Sequence, residues 1–343
     1  MKRLASALTG VMLMAALVSG CSSISPSAAS TPSASVAETP AARTTIRIAS
    51  LKGPTTMGLV KLMSDAKAGK GKQDYQVTMY GTPDEIVPLI AKGEVDVALL
   101  PANLASVLYN KTKTASGSQL EVAAINTLGM LEVVEAGNTI HSVADLKGKT
   151  IYSTGKGASP EYVLDYLLEK NGIDPAKDVN VQFTSEATEL AATLATKPNA
   201  IGVLPQPYVT VLKSKNPAIR TALSLTDEWA KVTPDSQMVT GVVAVRTAFA
   251  TAHQAAFNDF LTDYKASTTF TNAEPAKAAP LIAAAGIVPT AAIAETAIPA
   301  CHITDIEGSQ LTSTLNGYLK VLFTADPASV GGSMPGDDFY YSR

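Results

Sequence analysis

Apolar and polar positions along the chain fall into short blocks whose period switches repeatedly between that of a strand and that of a helix. Thr45 to Ala49 reads as a strand. A small-residue loop, Lys52 to Gly58, runs into a helix with Leu59, Val60, Leu62 and Met63 apolar, and Tyr75 to Tyr80 alternates as a second strand. Thr82-Pro83-Asp84-Glu85 has the form of a capping box with proline at the first helical position, and it opens a helix that buries Ile86, Val87 and Ile90 and stops at Gly93. Val95 to Leu100 is an almost unbroken apolar run, which predicts a strand covered on both faces. It ends at Pro101.

The same order returns roughly one hundred residues later. Strand Thr150 to Ser153, loop Gly155 to Ser159, a helix to Lys170, strand Val179 to Thr184, helix Glu186 to Thr196 and strand Ala200 to Leu204 end at Pro205. Each copy predicts a βαβαβ unit with short connections, hence right-handed crossovers and a parallel sheet. In the second copy Ser159 is a candidate N-cap, Pro160 suits the first helical position, Glu161 adds negative charge to the first turn and Gly172 stops the helix. Between the copies lie a helix from Ala102 to Tyr109, a strand Leu120 to Thr127 and an apolar run Met130 to Glu135. After them Met238 to Arg246 is a further strand, and the remainder reads as helix: Ala255 to Asn272, Pro275 to Ala285 and Ser309 to Leu322.

The N-terminus has a separate character. Met1-Lys2-Arg3, an apolar run from Leu4 to Val18 and Ser19-Gly20-Cys21 describe a secretory signal over residues 1–20, too short to span a membrane. Cysteine after Ser-Gly resembles the bacterial lipobox, which implies lipidation of Cys21. Residues 21–44, rich in Ser, Ala, Pro and Thr, are expected to form a disordered tether. The remaining length predicts two lobes: residues 45–130 with 241–343 as lobe one, and 131–240 as lobe two. Two crossings between them make a hinge, and closure around a ligand is the expected motion.

A net charge of −3 with 17% charged residues leaves no basic footprint, so nucleic-acid binding is excluded from the reading. Cys301 lies in an apolar setting and is expected to be a buried, inert thiol. The three histidines, His141, His253 and His302, are widely separated, and no metal site or cofactor is expected. Trp229 is expected to pack, Arg220 to form a surface ion pair, and the tail Gly331 to Tyr341 to lie across lobe one.

Gly93-Glu94-Val95-Asp96-Val97-Ala98 with Pro101, followed by Asp145-Leu146-Lys147-Gly148-Lys149 before a strand, glycine loop and helix, resembles the type II solute-binding proteins of ABC importers. The similarity is to the branch that includes nitrate-, sulfonate-, taurine- and thiamine-precursor-binding proteins, and it covers Thr45 to about Ser329. It implies an α/β two-lobe periplasmic-binding-protein type II fold with a cleft between lobes. It also implies a monomer that captures a small polar or anionic solute and delivers it to a membrane permease. Two alternatives are a same-fold enzyme of the menaquinone-pathway type and a ligand-sensing surface lipoprotein. The enzyme would need a positioned base or nucleophile, and the candidate loops hold no histidine, cysteine or carboxylate pair.

Ligands of parallel α/β sheets sit beyond the carboxyl ends of the strands. That rule selects Gly53, Pro54, Thr55, Thr56 and Met57 after the first strand, then Pro101, Ala102 and Asn103, and then Asn126 and Thr127. From lobe two it selects Thr154, Gly155, Lys156, Gly157, Ala158 and Ser159, with Pro205, Gln206, Pro207 and Tyr208; Gln237 is added at the return crossing. Lys52 and Lys156 are the nearby cations. Several members of the resembled family carry an acidic residue between two prolines where this chain has Gln206. A helix start behind a glycine loop favours an anion, and two such starts facing one another would hold it between them.

Overall fold

A computed structural model describes residues 42–115 and 117–343. The signal segment, Cys21 and nearly all of the expected tether lie outside them. The strands are β1 (Thr45–Leu51), β2 (Asp74–Tyr80), β3 (Val97–Pro101), β4 (Leu120–Leu128), β5 (Leu131–Glu135), β6 (Thr150–Ser153), β7 (Asn180–Phe183), β8 (Ile201–Pro205), β9 (Arg220–Ser224), β10 (Val239–Arg246) and β11 (Ile303–Ile306). The helices of the first half are α1 (Pro54–Met57), α2 (Val60–Lys67), α3 (Pro83–Ala91), α4 (Ala102–Thr112), α5 (Ser159–Lys170) and α6 (Ala187–Thr196). They are followed by α7 (Tyr208–Lys215), α8 (Leu225–Val232), α9 (Thr247–Ala252), α10 (Gln254–Ala273), α11 (Pro275–Ala284), α12 (Ala291–Ala297) and α13 (Gly308–Ala325).

The duplicated pattern becomes two sheets of the same plan. One has strand order β11-β4-β10-β3-β1-β2 and the other β7-β6-β8-β5-β9. In each, the first strand of a βαβαβ unit sits between its second and third, paired parallel to both. An antiparallel strand then seals the third: β10 against β3 and β5 against β8. The chain leaves the first sheet at Leu128, enters the second at Leu131, and re-enters the first at Val239.

Local chemistry explains several boundaries. Thr82 and Glu85 form the capping box of α3, with the Thr82 N–H donating to Glu85 Oε2 at 3.0 Å. Asp145 closes a second box with Ser142 around a 3₁₀ turn, and Gly148, at φ +74°, turns the chain into β6. Trp229 is buried between the rings of Tyr166 and Tyr318, 4.9 and 5.4 Å away, and its Nε1–H donates to Ser236 O at 3.0 Å. It joins α5 and α8 to α13. The tail lies along β4, where the Tyr341 N–H donates to Val122 O at 2.9 Å. Arg220 pairs with Glu135, a carboxylate only 2% exposed, so this ion pair is half-buried and not a surface feature. Cys301 is fully buried with its Sγ 3.7 Å from Met57 Sδ, and burial pushes its thiol well above the ordinary range.

The C-terminal part is not wholly helical. β11, four residues long, pairs with β4 at the sheet edge. A run that short carries no period that separates a strand from a helix turn. Its Asp305 is 4% exposed on the side chain, and burial, reinforced by Glu307, pushes it up to about 7 although Lys265 Nζ lies 3.7 Å away. The folded chain therefore keeps a proton that the unfolded chain releases from about pH 4 upward. Stability from this group falls as pH rises from about 4 to about 7 and stays low above that. Asp305→Asn should raise stability by roughly 1–2 kcal/mol above pH 7 and by nothing measurable near pH 4, a discounted reading of the shift that urea denaturation at the two pH values checks.

Candidate functional site

The carboxyl ends of β1, β3, β6 and β8 converge on a cavity of about 130 Å³ between the two sheets. Of the residues selected by the strand-end rule, Pro54, Thr55, Pro101, Thr127, Thr154, Gly155, Ala158, Ser159 and Pro205 line it, together with Lys52 and Tyr208. The lobes touch around it. Asn103 Nδ2 donates to Gly157 O at 3.2 Å, Ser159 Oγ donates to Asn103 Oδ1 at 3.2 Å, and the Tyr208 hydroxyl donates to Lys52 O at 3.1 Å.

The other selected residues lie outside the lining, each for a visible reason. Gly53 stands one step back, where an added Cβ would be 3.8 Å from the Tyr208 ring. Thr56 turns inward, its Oγ1 donating to Ser50 Oγ at 2.8 Å, and Met57 and Ala102 are core residues. Asn103 is committed to the bridge just described, and Asn126 is wholly buried beside Thr127. Lys156 is an exposed loop charge. Gly157 gives its N–H to the Glu161 carboxylate, so that donor belongs to the helix's own first turn. Gln206 is locked by bonds to Glu132 Oε1 at 2.9 Å and from Thr210 Oγ1 at 2.8 Å, and Pro207 leads into α7. Gln237 borders a different groove, beside Trp229 and Ser313, because the return crossing reaches the cavity only at Thr240 and Gly241.

Two expectations about helix starts change. Ala158, not Ser159, is the N-cap of α5, because the Ser159 hydroxyl crosses the cleft to Asn103 and does not bond its own helix. α1 is a single four-residue turn, so its dipole is slight, and α5 with twelve residues is the stronger helix start.

The lining residues missed from sequence are Leu51, Gly81, Pro83, Met130, Leu131, Pro160, Ser185, Ala187, Thr240 and Gly241. Gly81 and Pro83 follow β2, and Ser185 and Ala187 follow β7. The strand-end rule applies equally to those strands, so this signal was present. Gly241 packs its backbone against Asn126, whose Oδ1 would be 2.4 Å from an added Cβ.

Most of the wall is apolar, with Pro54, Pro101, Pro160, Pro205, Leu51, Met130 and Leu131 in it. Among the lining residues Lys52 is the one cation, and there is no carboxylate, histidine or cysteine. Three hydroxyls already donate inward: Thr55 to Leu51 O at 2.7 Å, Thr127 to Asn126 Oδ1 at 2.9 Å and Thr240 to Leu128 O at 2.6 Å. A guest's hydrogen bonds therefore come from the Thr154 and Ser185 hydroxyls, from backbone N–H groups at the helix starts and from Lys52. Asn126 Nδ2, next to Thr127, is buried with no hydrogen-bond partner among the described residues.

Solved structures of this fold are numerous. An ABC transporter protein from Parabacteroides distasonis superposes with a TM-score of 0.69 at 21% identity, over 87% of this chain and 99% of its own. The alkanesulfonate-binding protein of Xanthomonas axonopodis pv. citri, bound to MOPS, gives 0.66 at 16% identity, over 86% and 96%. The periplasmic nitrate-binding protein of Synechocystis gives 0.62 at 12% identity, over 84% of each chain. These likenesses establish the two-lobe periplasmic-binding-protein fold. No curated protein sequence matches the chain. A family model described as "ABC transporter, phosphonate, periplasmic substrate-binding protein" matches residues 61–294. With that match spanning most of its length, the chain belongs to this family of extracytoplasmic substrate-binding components of ABC transporters.

Proposed function

We propose that the protein captures a small anionic solute in the interlobe cavity, is held to the outer face of the cell membrane by a lipid on Cys21, and passes the solute as a monomer to its permease. The observation that carries the binding site is the convergence of strand ends and the α5 helix start from separate lobes on one cavity whose lining has a cation and no carboxylate. The relatives in fold named for alkanesulfonate and nitrate, and the family's phosphonate, suggest oxoanions as the ligand class. Catalysis is left out of the proposal because the lining holds no histidine, cysteine or carboxylate that would serve as a base beside its hydroxyls. Lobe two is taken as residues 131–240, and hinge closure about the two crossings is the motion that would admit and trap the solute.

The test is a thermal-shift panel of sulfonates, phosphonates, nitrate, pyrimidines and amino acids. Binding at one hundred times Kd adds about 2.7 kcal/mol, which raises Tm by several degrees. An anion is expected to give that shift; a shift from none of the panel counts against the site. For the anchor, Cys21→Ala should release the protein from membranes into the soluble fraction, whereas unchanged membrane retention would rule the lipid out.

A further inference from the structure

Glu186 does not line the cavity, yet it stands between two residues that do, Ser185 and Ala187, as the N-cap of α6. Its carboxylate reaches across the cleft. A Cβ built on Gly81, in the opposite lobe, would lie 2.5 Å from Glu186 Oε1 and 2.7 Å from its Cδ. Gly81 has no positive φ that demands glycine, so what its missing side chain provides is room for this carboxylate. The same charge reaches Tyr208, a lining residue whose hydroxyl is held protonated first by burial and then by the field of Glu186. The Thr188 hydroxyl donates to Glu186 Oε2 at 3.0 Å, which fixes the carboxylate in place.

Glu186 thus places a fixed negative charge against the loop of Gly81, whose N–H is already held by Glu85, and the lining has one cation, Lys52. An anion with a single charge gains the Lys52 attraction and the α5 helix start. A second negative charge on the same anion finds no second cation in the lining and is repelled by Glu186. The rest of the solute meets Pro54, Pro101, Met130 and Leu131. We propose that Lys52 and Glu186 together set the charge that the site accepts: a compact solute with an apolar body and one negative charge, with dianions rejected. This inference rests on the interlobe anion site proposed above.

Isothermal titration of the full chain with ethanesulfonate and with ethylphosphonate, in a mildly alkaline buffer where the first carries one charge and the second two, tests it. Ethanesulfonate is expected to bind about tenfold more tightly or better, and Glu186→Gln to bring ethylphosphonate up by about tenfold while moving ethanesulfonate by less than about threefold. Lys52→Gln should weaken both. Ethylphosphonate binding as tightly as ethanesulfonate in the native protein, or an unchanged ratio in a Glu186→Gln variant that melts normally, would overturn the charge filter and leave the transport role standing. If neither anion binds to the native protein or either variant, the interlobe anion site itself fails.

Discussion

Replacing Ala158 by tryptophan should weaken solute binding by about one hundredfold or more, equivalent to about 2.7 kcal/mol, while the protein still folds. Ala158 is the N-cap of α5, its backbone is extended at φ −122°, and its side chain lines the cavity. An indole placed there enters a space of about 130 Å³ and occupies the volume that a solute needs. The backbone accepts any residue at that angle, so no backbone strain is added, and the melting curve reports what the indole costs in packing at a position 2% exposed in the native protein. Gly157, next to it, behaves differently: at φ +74° with nothing within 4 Å of an added Cβ, a substitution there strains the loop without filling the cavity. Titration with whichever oxoanion gives the largest thermal shift, together with the melting curve of the variant, separates the two effects. Undiminished affinity in Ala158→Trp would move the site elsewhere.

Asp96→Ala should destabilise the fold by about 2–3 kcal/mol, because it removes the buried acceptor that two partly exposed guanidinium groups share. Asp96 is 3% exposed and precedes β3. Arg47 Nη2 donates to its Oδ1 at 2.7 Å and Arg47 Nε to its Oδ2 at 2.9 Å, while Arg246 Nη2 donates to Oδ1 at 2.9 Å. Three strands, β1, β3 and β10, are tied at one point. Burial works to raise the carboxyl, but the bonds from Arg47 and Arg246 outweigh it and hold it below the ordinary range. Its contribution is therefore full above the ordinary carboxylate range near pH 4 and is lost as pH falls through the lowered value. Urea denaturation should show the loss near neutrality and a much smaller difference in acid. Asp96 lies at the opposite ends of the strands from the cavity, so solute affinity of the folded variant should be unchanged.

The architecture was legible because the two copies obey strong local rules. The Thr82–Glu85 box and the continuous apolar run of β3 mark the first unit, Pro101 and Pro205 close the third strand of each, and the elements of both units follow one another in the predicted order. β11 was not legible, since its pairing with β4 is a long-range contact that four residues cannot announce. The site was half legible. Strand-end loops are selected by position, whereas the direction a side chain takes within them depends on tertiary partners. Thr55 faces the cavity and Thr56 faces Ser50; Ser159 abandons its capping role for Asn103. Glu186 carried no motif at all. Its bearing on the cleft appears only when Gly81 is brought against it from the other lobe.

A crystal structure of the protein grown with the oxoanion that gives the largest thermal shift tests the central claim most directly. The account predicts the anion between the lobes, in contact with Lys52 from one side and with Thr154 and the start of α5 from the other. An anion bound instead at the exposed Lys156 loop, or in the groove beside Trp229 and Gln237, would contradict it.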